Sequence, residues 1–127
     1  MTDLTIGQAQ RMTAPAPFAL LTSADKEGKT NIMAVSWWTY LSNHPVKIGA
    51  CLSNKGYSGG NIREGGEFAI CVVDEQLKDS ALQCGRCSGR STDKAAELGI
   101  ELAEAKMISP KVVAASKVVF ECKLSDM

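Results

Sequence analysis

Phe18-Ala19-Leu20-Leu21-Thr22-Ser23-Ala24 is an apolar run of strand length, and Asp25-Lys26-Glu27-Gly28 follows it with turn residues and a glycine suited to positive φ. Together they predict a β-hairpin, which commits the start of the domain to antiparallel sheet. The return strand is expected over Thr30 to Leu41, rich in β-branched and aromatic residues. Asn43-His44-Pro45 ends it, because proline cannot donate to a ladder. A third strand is expected over Val46 to Leu52 and a fourth over Glu67 to Val73. Between them a polar, glycine-bearing loop, Ser53 to Gly60, leads into a short helix around Asn61 to Glu64 that Gly65-Gly66 terminates.

Asp74 is placed to cap a helix over Glu75 to Leu82, and Thr92 or Asp93 to cap another over Lys94 to Leu98, closed by Gly99. Ile100 to Ser116 is weakly patterned and interrupted by Pro110, after which Lys117 to Leu124 reads as a fifth strand. No internal repeat or linker divides the 127 residues, so one antiparallel β domain with short inserted helices is expected. A single domain of this length buries roughly two-thirds of its unfolded surface and needs no disulfide or metal to hold a core.

Fourteen Lys and Arg balance fourteen Asp and Glu, so the chain lacks the cationic surplus that a nucleic-acid or anionic-membrane surface demands. Any anion it binds must be small and locally recognised. The longest strongly apolar stretches, such as Phe68 to Val73, fall far short of the roughly 20 residues a spanning helix needs. Met1-Thr2-Asp3-Leu4-Thr5 lacks a basic patch followed by an apolar run, and a cytoplasmic address is expected. Of five cysteines, Cys51, Cys71 and Cys122 sit inside apolar runs and are expected as small core residues with free thiols.

Cys84-x-x-Cys87 has the spacing of a redox couple or half a zinc site, but it lacks a βαβ context, and His44 and Cys122 do not supply matching ligands. His44, the one histidine, lies beside Pro45 in a turn and reads as a solvated loop residue. No Ser-His-Asp set or carboxylate pair stands out, so acid-base chemistry is poorly supplied. Trp37-Trp38 is more informative: adjacent strand residues face opposite ways, so one indole must leave the core for solvent, a cofactor edge or a subunit interface. Loop Ser53 to Ser58 offers hydroxyls, a lysine and backbone amides ahead of a helix N-terminus, which is phosphate-binding equipment as well as ordinary turn composition. Ser88-Gly89-Arg90 adds a hydroxyl, a close-approach glycine and a guanidinium able to grip an anion. Two anion-ready loops beside a tryptophan-bearing strand suit a ligand with one phosphate and one flat aromatic body, such as flavin mononucleotide (FMN).

Pro17-Phe18-Ala19-Leu20-Leu21-Thr22-Ser23, Gly28 through Trp38, Glu67-Phe68, and Cys84-Gly85 with Ser88-Gly89-Arg90 and Asp93-Lys94 occur in that order. This series resembles the flavin reductase-like, FMN-binding split-barrel family that includes flavoredoxin, from about Pro17 to Leu124. The resemblance implies one mainly β domain over residues 1–127: a small Greek-key split β-barrel with short inserted helices, forming a homodimer with FMN near the subunit interface. It further implies that Asn31, Met33, Ala34, Val35, Ser36 and Trp37 line the isoalloxazine and ribityl chain, largely through backbone groups. Ser53, Lys55, Tyr57 and Ser58 would surround the phosphate, and Ser88 and Arg90 would complete the pocket. Relatives continue through at least one further hairpin, so the expected barrel is C-terminally shortened, with an edge covered by a partner subunit or an incomplete FMN site. Gly56 falls where relatives often carry a larger residue, which predicts a looser phosphate loop.

The expected function is an FMN-dependent oxidoreductase taking hydride from NADH or NADPH, with no catalytic acid-base side chain and no metal. A flavoredoxin-type electron carrier served by a redox partner protein uses the same binding residues. A third reading is an interaction module that has lost FMN. No dinucleotide fingerprint distinguishes NADH from NADPH.

Overall fold

A computed structural model describes residues 17–127; the reading of Met1 to Thr5 lies outside them. Strand β1 (Ala19–Ala24) turns at Gly28, φ 81°, into β2 (Thr30–Val35), as expected. The Asp25 carboxylate fastens that turn, accepting from the Glu27 amide at 3.1 Å and the Lys29 amide at 2.8 Å. The expected long return strand is instead broken at Ser36-Trp37, and β3 (Trp38–Asn43) pairs with β4 (Val46–Ala50) in a separate two-stranded sheet. The chain changes sheets at that break.

Helix α1 (Tyr57–Gly65) follows, then β5 (Glu67–Val72). Helix α2 (Lys78–Cys84) begins later than expected, because the Asp74 carboxylate caps a preceding turn through the Gln76 and Leu77 amides. Asp93 rather than Thr92 caps α3 (Lys94–Glu97), accepting from the Ala96 amide at 3.2 Å. The weakly patterned stretch holds two short paired strands, β6 (Leu102–Ala103) and β7 (Val112–Val113), before β8 (Val119–Lys123). The main sheet is antiparallel in the order β2-β1-β5-β8, which places β2 at an edge.

Both faces of this sheet are covered. Leu20, Ile32, Ala69 and Cys71 pack against Leu77, Ala81 and Cys84 on one side. Leu21, Val35 and Ile70 pack against Trp38, Ile62 and Phe68 on the other. Leu20, Leu21, Ile32 and Ile70 are wholly buried, each contributing roughly 1.5–3 kcal/mol from removal of apolar surface from water. The tandem tryptophans divide as expected, although Trp37 lies at the break and only Trp38 is in a strand: Trp38 is buried, with its indole N–H donating to the Pro17 carbonyl at 2.7 Å, whereas Trp37 is 60% exposed.

Cysteine placement corrects one expectation. Cys71 is buried and Cys122 half-buried, and burial pushes both thiols up to about 11. Cys51 is exposed, because Ile48, Ala50 and Leu52 take the inward positions of its segment and leave Cys51 on the outward alternate.

Candidate functional site

Strand β2 ends the main sheet, so every second residue along it directs its N–H and C=O away from β1. Its side chains serve the fold. Val35 and Met33 pack into one core cluster and Ala34 packs against the other, while Ser36 and Trp37 project into solvent at the sheet break. The nearly buried Asn31 donates its side-chain amide to the Ser58 hydroxyl at 2.9 Å, tying β2 to the start of α1. Any ligand along this edge therefore meets backbone groups from residues 31–36 and the exposed Trp37 ring.

Two loops flank the edge. The first runs from Ser53 to Gly56 into α1, whose N-terminus has no side-chain cap; the first bond of the helix comes from the Gly60 amide to the Gly56 carbonyl. Its leading amides therefore project toward the loop, where the positive end of the helix dipole favours an anion. The expectation of a loose loop is reversed: the Gly56 amide donates to the Ser53 carbonyl at 2.9 Å, and a Cβ on Gly56 would lie 3.1 Å from that oxygen. Glycine here makes the turn tighter.

The second loop joins α2 to α3 and carries Ser88-Gly89-Arg90. Arg90 Nη2 donates to the Lys55 carbonyl at 2.9 Å, which brings a guanidinium to the backbone of the loop that leads into α1. Gly89, expected to allow close approach of an anion, makes its close approach to the Asn31 side chain, which a Cβ there would overlap. Ser88 turns its loop by accepting from the Arg90 amide at 3.3 Å.

Of the twelve expected site residues, Ser53, Lys55, Ser88 and Arg90 are exposed and gather around this entrance. Tyr57 and Ser58 are turned to structural use. The Tyr57 hydroxyl donates to Asp25 at 3.2 Å, and burial followed by the Asp25 charge holds its phenol above the usual range. Ser58 is buried beneath Asn31. Sequence reasoning missed Asn61, which donates to the Ser23 hydroxyl at 3.4 Å below the site, and the buried Lys94, which donates to the Cys84 carbonyl at 2.8 Å. Placement of Lys94 within Asp93-Lys94 was the available signal. Between β2 and the α2–α3 loop lies a cavity of about 10 Å³, lined by Asn31, Tyr57, Gly89 and Lys94, with room for about one water.

Residues 11–127 match the family model described as the flavin reductase like domain. The chain belongs to the flavin reductase-like family. Flavoredoxin of Desulfovibrio vulgaris (Miyazaki F) superposes with TM-score 0.86 at 26% identity, covering 96% of this chain and 66% of that one. The 2-nitrobenzoate 2-nitroreductase of Pseudomonas fluorescens shares the fold with TM-score 0.81 at 24% identity, over 96% of this chain and 64% of that protein. Among curated proteins, an uncharacterised protein of Aeropyrum pernix is 25% identical over 109 residues, 85% of this chain and 41% of the relative. The chain thus spans less than two-thirds of each of these proteins. Within the family the fold is a mainly β split barrel with short inserted helices, an architecture also named for a Shewanella frigidimarina relative with TM-score 0.83.

The donor set suits FMN in chemistry. Lys55 and Arg90 supply positive charge beside an uncapped helix N-terminus for a phosphate, and the β2 edge supplies amides and carbonyls for a planar heterocycle. The neighbouring carboxylates are engaged elsewhere, Asp25 with Tyr57 and Asp93 with Lys29.

Proposed function

We propose that this chain binds FMN along the open edge of β2 and serves as an NAD(P)H-dependent flavin oxidoreductase. The observation that carries the reading is the Arg90–Lys55 bond, which holds the Arg90 guanidinium against the loop that leads into the bare N-terminus of α1. Family membership supports it, as do solved relatives described as FMN-binding proteins from Thermus thermophilus. Bound FMN supplies hydride and single-electron chemistry. The protein holds the phosphate through Lys55, Arg90 and the α1 amides, orients the ring against residues 31–36, and leaves Trp37 at the open face. Placement rather than proton handling is what such a transfer asks of the side chains, which agrees with an isolated, exposed His44.

A homodimer is part of the proposal. Trp37, Tyr40, Leu41 and Val46 are each more than half exposed on the β3–β4 sheet and its approach, an apolar face that suits a second copy. A cytoplasmic setting suits five free cysteines. The second reading, an FMN electron carrier reduced by a partner protein, is supported by the likeness to Desulfovibrio flavoredoxin. Anaerobic titration of the FMN-loaded protein with NADPH and NADH separates the two: bleaching by either supports the oxidoreductase, and bleaching only by a reduced protein supports the carrier.

A further inference from the structure

Cys84 is the last residue of α2, but the chain keeps winding beyond it. The Gly85 amide donates to the Leu82 carbonyl at 3.3 Å and the Arg86 amide to the Gln83 carbonyl at 3.0 Å. Both bonds reach the third residue back, a tight turn in which side chains three positions apart eclipse. Cys87 therefore follows Cys84 by one turn, and its thiol points back at the helix, donating to the Gln83 carbonyl at 3.6 Å. Side chains so placed have Cβ atoms about 5–6 Å apart and a disulfide needs about 3.5–4.5 Å, so a shift of roughly 1–2 Å at the root of the loop joins them. The two sulfurs are close enough for each thiolate to feel the charge of the other.

Their surroundings differ. Cys84 is 1% exposed and packs among Leu20, Ile32 and Ala81. Burial holds its thiol above the usual range, and the Lys94 ammonium, bonded to the Cys84 carbonyl at 2.8 Å, pulls the other way. Cys87 is only half-buried, so an oxidant arriving from solvent meets it first.

We propose that Cys84 and Cys87 are a site of reversible oxidation by hydrogen peroxide, with Cys87 as the thiol attacked and Cys84 as the resolving thiol. The Cys87 thiolate attacks one peroxide oxygen, the O–O bond breaks, hydroxide leaves, and the sulfur becomes a sulfenic acid. The Cys84 sulfur then attacks the sulfenic sulfur. An S–S bond forms, and the sulfenic hydroxyl departs with the Cys84 proton as water. In sum, two thiols and one peroxide give one disulfide and two waters. The ring spans only residues 84–87, so it restrains the unfolded chain little and a thiol reductant reopens it readily. Cys84 thereby keeps Cys87 from the irreversible sulfinic state. Reduced flavin meeting oxygen releases hydrogen peroxide, so the proposed oxidoreductase would supply the oxidant; the thiol chemistry itself does not rest on that reading.

The test uses protein purified without added flavin, reduced, freed of reductant and treated with hydrogen peroxide. Remaining thiols are alkylated in denaturant, and tryptic peptides are mapped by mass. Trypsin cuts at Arg86, between the two cysteines. In wild type, peptides 79–86 and 87–90 should stay joined, two hydrogens lighter than the separate pair, with most alkylatable Cys84 lost; dithiothreitol should restore both thiols. In Cys84→Ala, Cys87 should pass to sulfinic acid, which dithiothreitol does not reverse. In Cys87→Ser, Cys84 should remain a free thiol. Wild-type Cys87 reaching sulfinic acid while Cys84 stays alkylatable would overturn the proposal. So would a Cys84 bridged to any other cysteine, or both thiols untouched by peroxide. If Cys84→Ala fails to fold, the wild-type map and Cys87→Ser decide. Should the peptides join as stated in a protein that binds no FMN, the FMN reading falls and the thiol site stands.

Discussion

Arg90 and Lys55 lie 35 positions apart, yet the guanidinium of one donates to the backbone carbonyl of the other at 2.9 Å. The bond fastens the α2–α3 loop to the loop preceding α1. Arginine suits this task because its planar fork carries five N–H groups in fixed directions.

Arg90→Ala therefore removes a loop tether and the donor proposed for the FMN phosphate. FMN affinity should fall about 10- to 100-fold, the equivalent of one lost charged hydrogen bond of roughly 1.5–3 kcal/mol. Because Arg90 is exposed, Tm should hardly move. Fluorescence titration with FMN reads the first effect and thermal melting the second; equal Kd values for variant and wild type would remove Arg90 from the site.

Gly89 tests the middle of the same loop. A methyl group there overlaps the Asn31 side chain, which is held by its bond to Ser58. Gly89→Ala should destabilise by about 1–3 kcal/mol as the loop or Asn31 gives way, lowering Tm by several degrees and weakening FMN retention together. A variant as stable as wild type would mean the loop yields freely.

Thr22 offers a prediction of opposite sign. It is wholly buried in β1, and its hydroxyl finds no partner among the described residues. Thr22→Val keeps the shape and removes an unsatisfied polar group, so it should leave stability unchanged or raise it by up to about 1 kcal/mol. A clear fall in Tm would reveal a hydrogen bond at this hydroxyl.

Asp93 sets a pH dependence. The Ala96 amide and then the Lys29 ammonium hold its carboxyl below the usual aspartate range. A depressed carboxylate stabilises the fold above its unfolded value of about 3.9, and that contribution is lost as pH falls through the lower folded value. Asparagine retains the helix cap and loses the charge. Asp93→Asn should thus melt about 1–3 °C below wild type between pH 5 and 7, a small gap because the group is largely exposed, and the gap should close below about pH 4. A constant gap across that range would assign the difference to something other than ionisation.

Much of the fold was legible wherever the deciding physics is local. Gly28 and Gly99 adopt positive φ where turns needed them, Asp93 caps its helix, and Trp37 and Trp38 part to opposite sides. Gly89 was recognisable as a crowded position, though its neighbour, Asn31, was not. What was not legible depends on partners distant in sequence. The break at Ser36-Trp37 exists because β3 pairs with β4 rather than β1, and a run of β-formers gives no sign of which sheet it joins. Tyr57 was expected at a phosphate, and nothing in its own segment foretells the bond to Asp25; nor does the helix start at Lys94 foretell its bond to the Cys84 carbonyl. The short β6–β7 pair is set by its packing on the main sheet, with Val113 buried in the core cluster, and leaves no periodic trace in the sequence.

The central claim is that the β2 edge and the Arg90–Lys55 entrance form an FMN site serving an NAD(P)H oxidoreductase. The most direct measurement is the visible absorption spectrum of the purified protein incubated with FMN and desalted, followed by anaerobic titration with NADPH and NADH. The predicted result is retained FMN, identified by chromatography after release, whose absorption bleaches with one of the two donors. A protein that leaves the column colourless after saturation with FMN would contradict the claim.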